Sequence, residues 1–557
     1  MKIIFVALSS LMLMMVFSAE KIFSQTLTVS SSHVNFGNAY ENAPDSLPLT
    51  IYNNMGRTIQ VTGMKFYSTY GSPAFSANTN SFAIANGSSQ VAWIKFFPRH
   101  NIFHNSELVI ENDGLRGYVH VDLKGQGKYS MTYYDSTENL SEENLKNAIH
   151  YITGIGYDTL MYNPARDSMF MFLDNKAVNG QGASQNTLEC IYTGREAVGY
   201  TSRTDCQNNF LFNTEHTWPQ SLFSSAEPMK SDLHHLFPTD NTANNIRADN
   251  PFGMVTNPTW SVGGSSGTTT LFEPRDAQKG RAARALMYFV LRYQNYSNFF
   301  TPQESILRTW HHTFPPNQVE RKRNDDIKRI QHNRNPFVDY PQLIERIYSI
   351  SNFSVAPNIP SLDLTEDTIV YGFVQSGVSH IFHYVIVNNG TVDIHFSNIS
   401  LSHPGVLSFQ AGGSDTLILP GEALDIEINL FTANQNAIHD SLMFNTDVPG
   451  YTLVSIPIYA NDPVINGIQQ AGFNASLENT MVLFPNPVDE KIVLTATFGK
   501  ISAVKMFDVL GNEINLEKYD DTPGNSITID VARLSKGIYF LFIQSESGLI
   551  KKKFLKD

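Results

Sequence analysis

Hydrophobic patterning changes character three times along the chain. From about Thr26 to Lys128, apolar and polar positions alternate in short runs, as in Leu47-Pro-Leu-Thr-Ile-Tyr52, Val91-Ala-Trp-Ile-Lys-Phe-Phe97, Leu108-Val-Ile110 and Tyr118-Val-His-Val-Asp-Leu123. Asn53-Asn54-Met55-Gly56 and Asn112-Asp113-Gly114 supply turns between them. Short strands with Asn/Gly turns predict an antiparallel β-sandwich. A related pattern returns from about Phe353 to Asp462, where Val385-Ile-Val-Asn-Asn-Gly-Thr-Val-Asp-Ile394 echoes Thr50-Ile-Tyr-Asn-Asn-Met-Gly-Arg-Thr-Ile-Gln-Val61. Between these blocks the period lengthens. Ser141 is placed to cap a helix with Glu142 and Glu143 in its first turn, and Leu145, Ile149 and Ile152 fall on one face. A second helix is predicted over Asp276–Tyr293, with Ala282, Leu286, Phe289, Val290 and Tyr293 as its stripe. Residues from Met131 to about Ile350 therefore form a separate α+β domain, and β-type patterning resumes from about Met481.

Length and composition bound this picture. A chain of 557 residues accommodates several domains, each with its own core. Charged residues are 16% and hydrophobic ones 42%, a globular composition. A net charge of −13 argues against a protein coated in positive charge, but it leaves room for a local basic groove. Lys2 precedes the apolar run Ile3–Phe17, followed by Ser18-Ala19 and Phe23-Ser24-Gln25, the layout of a secretory signal peptide. No later apolar run is long enough to span a membrane, and the mature chain is expected to be soluble. Export to an oxidising compartment favours a disulfide between Cys190 and Cys206 over two free thiols.

The chemistry concentrates between Glu215 and Gly253, in EHTWPQSLF followed by SDLHHLFPTDNTANNIRADNPFG. Two halves around a Ser/Glu/Pro spacer predict two strands joined by a loop, then a helix. Phosphodiester cleavage needs an activated water, charge neutralisation at the phosphate and help for the departing 3′ oxygen. A histidine supplies the first, and one Mg²⁺-like ion on hard oxygen ligands supplies the others. His216 beside Glu215 fits that division, and the Asn244 carboxamide is a candidate second ligand. On an extended segment, however, Glu215 and His216 point to opposite faces unless a turn or bulge intervenes. Adjacent His234 and His235 lack zinc-type spacing; support for the base by one and packing or nucleic-acid contact by the other is the preferred reading. Trp218 reads as core. Asn245 is either a supporting group or a backbone hydrogen-bonding residue. Arg275, Lys279, Arg281, Arg284, Arg292, Arg321-Lys-Arg323, Lys328, Arg329 and Arg334 cluster in the same domain, as a solvated face or as phosphate contacts.

These residues resemble the endonuclease I family of secreted and periplasmic nucleases. Glu215-His216-Thr-Trp-Pro matches its EH-x-x-P core, Asp232-Leu-His-His-Leu-Phe-Pro238 its D-L-H block, and Asn244-Asn245-Ile-Arg247 its Asn-containing helix. Trp310-His-His and Asn333-Arg-Asn-Pro-Phe337 agree as well. The resemblance implies a ββα-metal fold with His216 as general base and Glu215 and Asn244 holding one divalent ion, Mg²⁺ with Ca²⁺ or Mn²⁺ as alternatives. It implies DNA or RNA substrates cut with little sequence preference, leaving 5′-phosphate ends. Ile246 and Asp249 depart from the usual family residues. The short spacer between Leu222 and Ser231 offers no match for a phosphate-gripping arginine, which leaves Lys230, Arg247 and Arg334 as candidate nucleic-acid contacts, Arg247 also as a catalytic group, and His234 and Asn245 as supporting ones.

The two β blocks resemble immunoglobulin-like modules of surface proteins. Leu483-Phe-Pro-Asn-Pro487, Val504–Asn512, Leu534–Leu541 and the basic Lys551–Lys556 tail resemble the C-terminal sorting domain of type IX secretion, which implies export by that machinery. The expected organisation is a signal peptide at 1–25, a sandwich at 26–128, the nuclease domain at 129–350, a sandwich at 351–462, a linker at 463–480 and a small β-sandwich sorting domain at 481–557, acting as a monomer outside the cell. The rival from another class is a surface adhesion protein with an inactive nuclease core; a zinc hydrolase of another bond is a third reading.

Overall fold

The computed structural model describes residues 27–67, 74–114, 118–294, 298–403, 405–410, 415–462, 481–496, 501–508, 513–514, 516, 526–545 and 548–556. The expected signal peptide at 1–25 and linker at 463–480 lie outside the described residues. Two regions share one topology, strand for strand. In the first, a four-stranded sheet runs in the order Thr28–Val29, Asp45–Asn53, Ser88–Phe96, Phe75–Ala77. It faces a five-stranded sheet ordered His33–Tyr40, Val119–Lys128, Phe103–Asn112, Ile59–Phe66, Phe82–Ile84, and both fill one core around Leu49, Ile94, Leu108 and Val121. The second repeats this with Leu362–Leu364, Ser379–Asn388, Ala423–Phe431, Leu407–Gln410 against Ile369–Val370, Leu453–Ala460, Ile438–Thr446, Ile394–Leu401, Asp415–Ile418.

Both depart from the expected antiparallel sandwich at the same place. His33–Tyr40 pairs in parallel with Val119–Lys128, and Ile369–Val370 pairs in parallel with Leu453–Ala460. Each pair joins an early strand to the last strand of its own module, and the long crossover through the opposite sheet brings the chain back in the same direction. The Asn-Asn echo has a common cause. Asn53 and Asn388 are fully buried. The Asn53 amide donates to the Arg57 and Ile84 carbonyls while its oxygen accepts from Met55 N–H. Asn388 does the same with the Val392 and Ile418 carbonyls and Gly390 N–H.

Between the sandwiches lies the α+β region, organised around the helix Asp276–Tyr293. Its residues from Ala282 to Leu291 are buried on every side, so the predicted stripe is only part of its contact surface. Gly280 lets a neighbouring segment come close, since a Cβ there would meet the Phe314 carbonyl oxygen at 2.2 Å. The helix Glu142–Gly154 starts after Ser141 as expected, although the serine hydroxyl makes no capping bond. Trp218 stacks on Phe289 at 4.8 Å and is fully buried, as expected for core. The C-terminal region pairs a three-stranded with a four-stranded sheet around Ile492, Met506, Leu541 and Ile543. Among the described residues no helix is long and apolar enough to cross a membrane.

Candidate active site

The site is a hairpin followed by a short helix. Phe212–His216 pairs antiparallel with Leu236–Asp240 in continuous register from Phe212↔Asp240 to His216↔Leu236, with no bulge. Asp240 ends the second strand and caps the helix Asn241–Arg247, its carboxylate accepting from Ala243 N–H at 2.8 Å. Ala243 and Arg247, one turn apart, are that helix's buried residues.

Regular alternation sends neighbouring side chains of the first strand to opposite faces. On one face Glu215 is 2% exposed, accepts from the Tyr192 hydroxyl at 2.8 Å and lies 3.1 Å from Arg247 Nε. Burial pushes its carboxyl above the ordinary range, against the pull of Arg247. Glu215 Oε2 and the Asn244 carboxamide carry no hydrogen bond among the described residues, and Asn244 is partly exposed. A buried carboxylate with a spare oxygen on the strand, and a carboxamide without a hydrogen bond on the helix that follows, are oxygen donors of the kind a hydrated hard cation takes. Among the described residues no group of three or more His, Cys, Asp or Glu side chains converges as a metal cluster.

On the other face His216 is 5% exposed, and its Nε2 lies 3.0 Å from the Lys230 carbonyl. Burial, then the neighbouring His235, hold its pKa well below the ordinary histidine value. The His235 ring sits 5.5 Å from that of His216 and its Nε2 bonds the Met229 carbonyl. Tyr162 packs against His216 from the helix Tyr162–Ser168 at 5.6 Å.

Several expected roles are corrected. Arg247 is fully buried and donates to the Thr217 and Ala248 carbonyls, with its guanidinium 4.8 Å from the Phe252 ring. It supports Glu215 from within the fold and is not placed to grip nucleic acid. Arg334 is held by Asp339 and Asp325, each within 2.7 Å, so its charge is consumed internally. His234 packs its ring, tilted, on Tyr288 at 4.6 Å, burial pushing it down to about 4; His235 takes the place beside His216. Asn245 is exposed and makes no side-chain hydrogen bond among the described residues. Cys190 and Cys206 are both buried and unbonded, and the Cys190 sulfur accepts from the N–H groups of Thr193 and Asp240. Lys230 lies beside Tyr162 with its Nζ 4.6 Å from the ring.

Sequence reasoning missed Tyr192, Tyr162 and Arg166, which reach the hairpin from elsewhere and carry no motif of their own. It also left Asp232 without a role. That buried carboxylate accepts from Tyr288, Tyr293, Gln331 and His234 N–H, tying the loop to the central helix.

Residues 137–342 match the Endonuclease I family and residues 482–557 match a secretion system C-terminal sorting domain. The chain carries an endonuclease I domain. An extracellular ribonuclease of Bacillus subtilis (strain 168) is 28% identical over 235 residues, covering 39% of this chain and 78% of its own. Another, from Bacillus amyloliquefaciens, is 29% identical over 238 residues with the same coverage. The solved structures it resembles include a PapD-like domain of human CEP192, at 15% identity and a TM-score of 0.19, covering 23% of this chain and 99% of that one. The endonuclease I domain and its ribonuclease relatives support a nuclease, and the type IX sorting domain makes the protein secreted or cell-surface.

Proposed function

We propose that the endonuclease I domain hydrolyses phosphodiester bonds of RNA and DNA with little sequence preference, using water activated by His216 and leaving 5′-phosphate ends. The observation that carries this reading is the tether on His216. A backbone carbonyl only accepts, so the bond to Lys230 fixes the proton on Nε2 and leaves Nδ1 with its lone pair. No described residue competes for Nδ1, and an imidazole in that tautomer takes a proton from water. Positioned bases of this kind contribute roughly 10²–10⁴-fold to rate.

Glu215 and Asn244 are the residues we assign to one divalent ion of the Mg²⁺ type, giving the hairpin and helix a ββα-metal role. When bound, that ion supplies charge neutralisation at the phosphate and at the departing 3′ oxygen. Arg247 and Tyr192 hold the Glu215 carboxylate in one orientation. The first strand stops at His216, so a phosphate lying across its end is reached from one face by His216 and from the other by the Glu215 side. Both relatives are named ribonucleases, which supports RNA as a substrate. Attack by water does not use the 2′-hydroxyl, so DNA is cut by the same chemistry.

Digestion of RNA and plasmid DNA with Mg²⁺ tests the reading by comparing the intact protein with His216→Ala. The variant should lose at least about 10²-fold of the rate, and EDTA should abolish both digestions. A wild type that cuts no better than the variant, or that ignores EDTA, overturns it.

A further inference from the structure

The face of the hairpin that carries His216 also carries two cations without acidic partners. Thr214 and His216, two residues apart, share that face. Arg166, on the helix Tyr162–Ser168, donates from Nε to Thr214 Oγ1 at 3.1 Å. Its guanidinium carbon stands 5.0 Å from the Tyr162 ring centroid, and Lys230 Nζ stands 4.6 Å from the same centroid. That ring is itself 5.6 Å from the His216 ring. Among the described residues neither Arg166 nor Lys230 makes a salt bridge, whereas their basic neighbours do. Arg203 pairs with Asp167 at 2.6 Å, Arg195 with Asp240 at 3.8 Å, and Arg247 with Glu215 at 3.1 Å. The nearby Glu227 is engaged as well, accepting from Ser231 Oγ.

Two like charges against one ring repel each other, and burial further penalises the charge on Arg166. Such an arrangement is stabilised by an anion that both can reach. The aromatic ring orients the two side chains without neutralising them. Arginine offers a planar fork to phosphate oxygens, and lysine adds a mobile point charge.

We propose that Arg166 and Lys230, laid against Tyr162, clamp a phosphate of the polynucleotide backbone beside His216. Arg166 is then the phosphate-gripping arginine, supplied by a helix that precedes the hairpin in sequence and not by the spacer within it. The clamp rests on the nuclease reading above for its substrate, but it is a binding device and can be read without cleavage. It contacts backbone phosphate alone and confers affinity with no base preference.

The test is fluorescence anisotropy of the full chain with a labelled single-stranded oligoribonucleotide, in EDTA, across a KCl series. Each phosphate contact contributes about 0.7 to the slope of log affinity against log salt for a single strand. Arg166→Gln and Lys230→Gln should each flatten the slope by about that amount. Arg166→Lys should keep it, and Thr214→Val, which removes the hydrogen bond but not the cation, should keep it too. Thermal melting of each variant reads any purely structural role of the Arg166–Thr214 bond. Unchanged slopes in both glutamine variants, or a wild type that shows no salt-dependent binding, overturn the clamp. Because no cleavage is involved, a protein that binds in this way but fails the digestion test would retain the clamp and lose the enzyme.

Discussion

Glu215 and Arg247 are almost sealed from solvent, so each depends on the other. Removing one partner of a buried pair leaves an uncompensated charge and costs about 3–5 kcal/mol. Arg247→Met should therefore lower the stability of the nuclease module by that order in denaturant unfolding, besides abolishing cleavage. A variant as stable as wild type would show that the pair is not the anchor of the site. This is also where the sequence misleads. It places an arginine one turn beyond Ala243 and close to the reacting groups, but whether that residue faces a phosphate or a carboxylate depends on what packs there. Tyr192 and Phe252 make Arg247's side of the helix interior, and no local pattern announces either. His234 and His235 illustrate a finer ambiguity. Adjacent residues point apart, and only the turn after Asp232 decides which ring meets His216. Residue type and short spacing single out Glu215, His216 and Asn244, and the structure sets the first two at the end of one strand and the third on the helix after its partner strand.

At the scale of elements, periodicity was a sound guide wherever one face of a strand or helix is buried. Asp276–Tyr293 has the bounds its pattern predicts. Strand direction was not legible, since alternation of apolar positions is the same in parallel and antiparallel pairs; both sandwiches conceal a parallel pair for that reason. The Asn-Asn repeat, by contrast, reported a shared piece of structure. Each first asparagine bonds three backbone groups around its turn. Losing a side chain that satisfies buried groups costs roughly 1–3 kcal/mol. Asn53→Ala and Asn388→Ala should each destabilise their own sandwich by that amount, read as a lower denaturant midpoint. A loss in only one module would mean that the two turns are not equivalent.

In the whole molecule the two sandwiches touch each other directly. Tyr67 and Val109 of the first pack with Val385 and Val387 of the second, and Tyr118 N–H bonds the His383 carbonyl. Beside this patch His120 Nδ1 meets Glu107 at 2.7 Å and His120 Nε2 lies 3.7 Å from Asp425, which His383 also reaches at 2.8 Å. Burial alone would lower His120, but hydrogen bonds to Asp425 and Glu107 and their charges raise it to about 10, from 6.5. A histidine raised in this way contributes stability in full below pH 6.5 and loses it as pH climbs toward about 10. Burial also raises Glu107 to about 7, and this acts in the same direction as its carboxyl charges. Contact between the sandwiches should therefore weaken between neutral and alkaline pH, and His120→Gln should remove most of that dependence. Melting curves of both proteins from pH 6 to 10 check it; a wild type whose advantage over the variant grows with pH would contradict the assignment.

What attacks the phosphorus decides between water activated by His216 and the 2′-hydroxyl of RNA. RNA cleaved by the intact protein with Mg²⁺ in ¹⁸O-labelled water can be read by mass spectrometry of the new ends. Activation of water by His216 predicts 5′-phosphates carrying one ¹⁸O and free 3′-hydroxyls, with RNA and DNA alike. Unlabelled 5′-hydroxyls opposite 2′,3′-cyclic phosphates, and no cleavage of DNA, would contradict it.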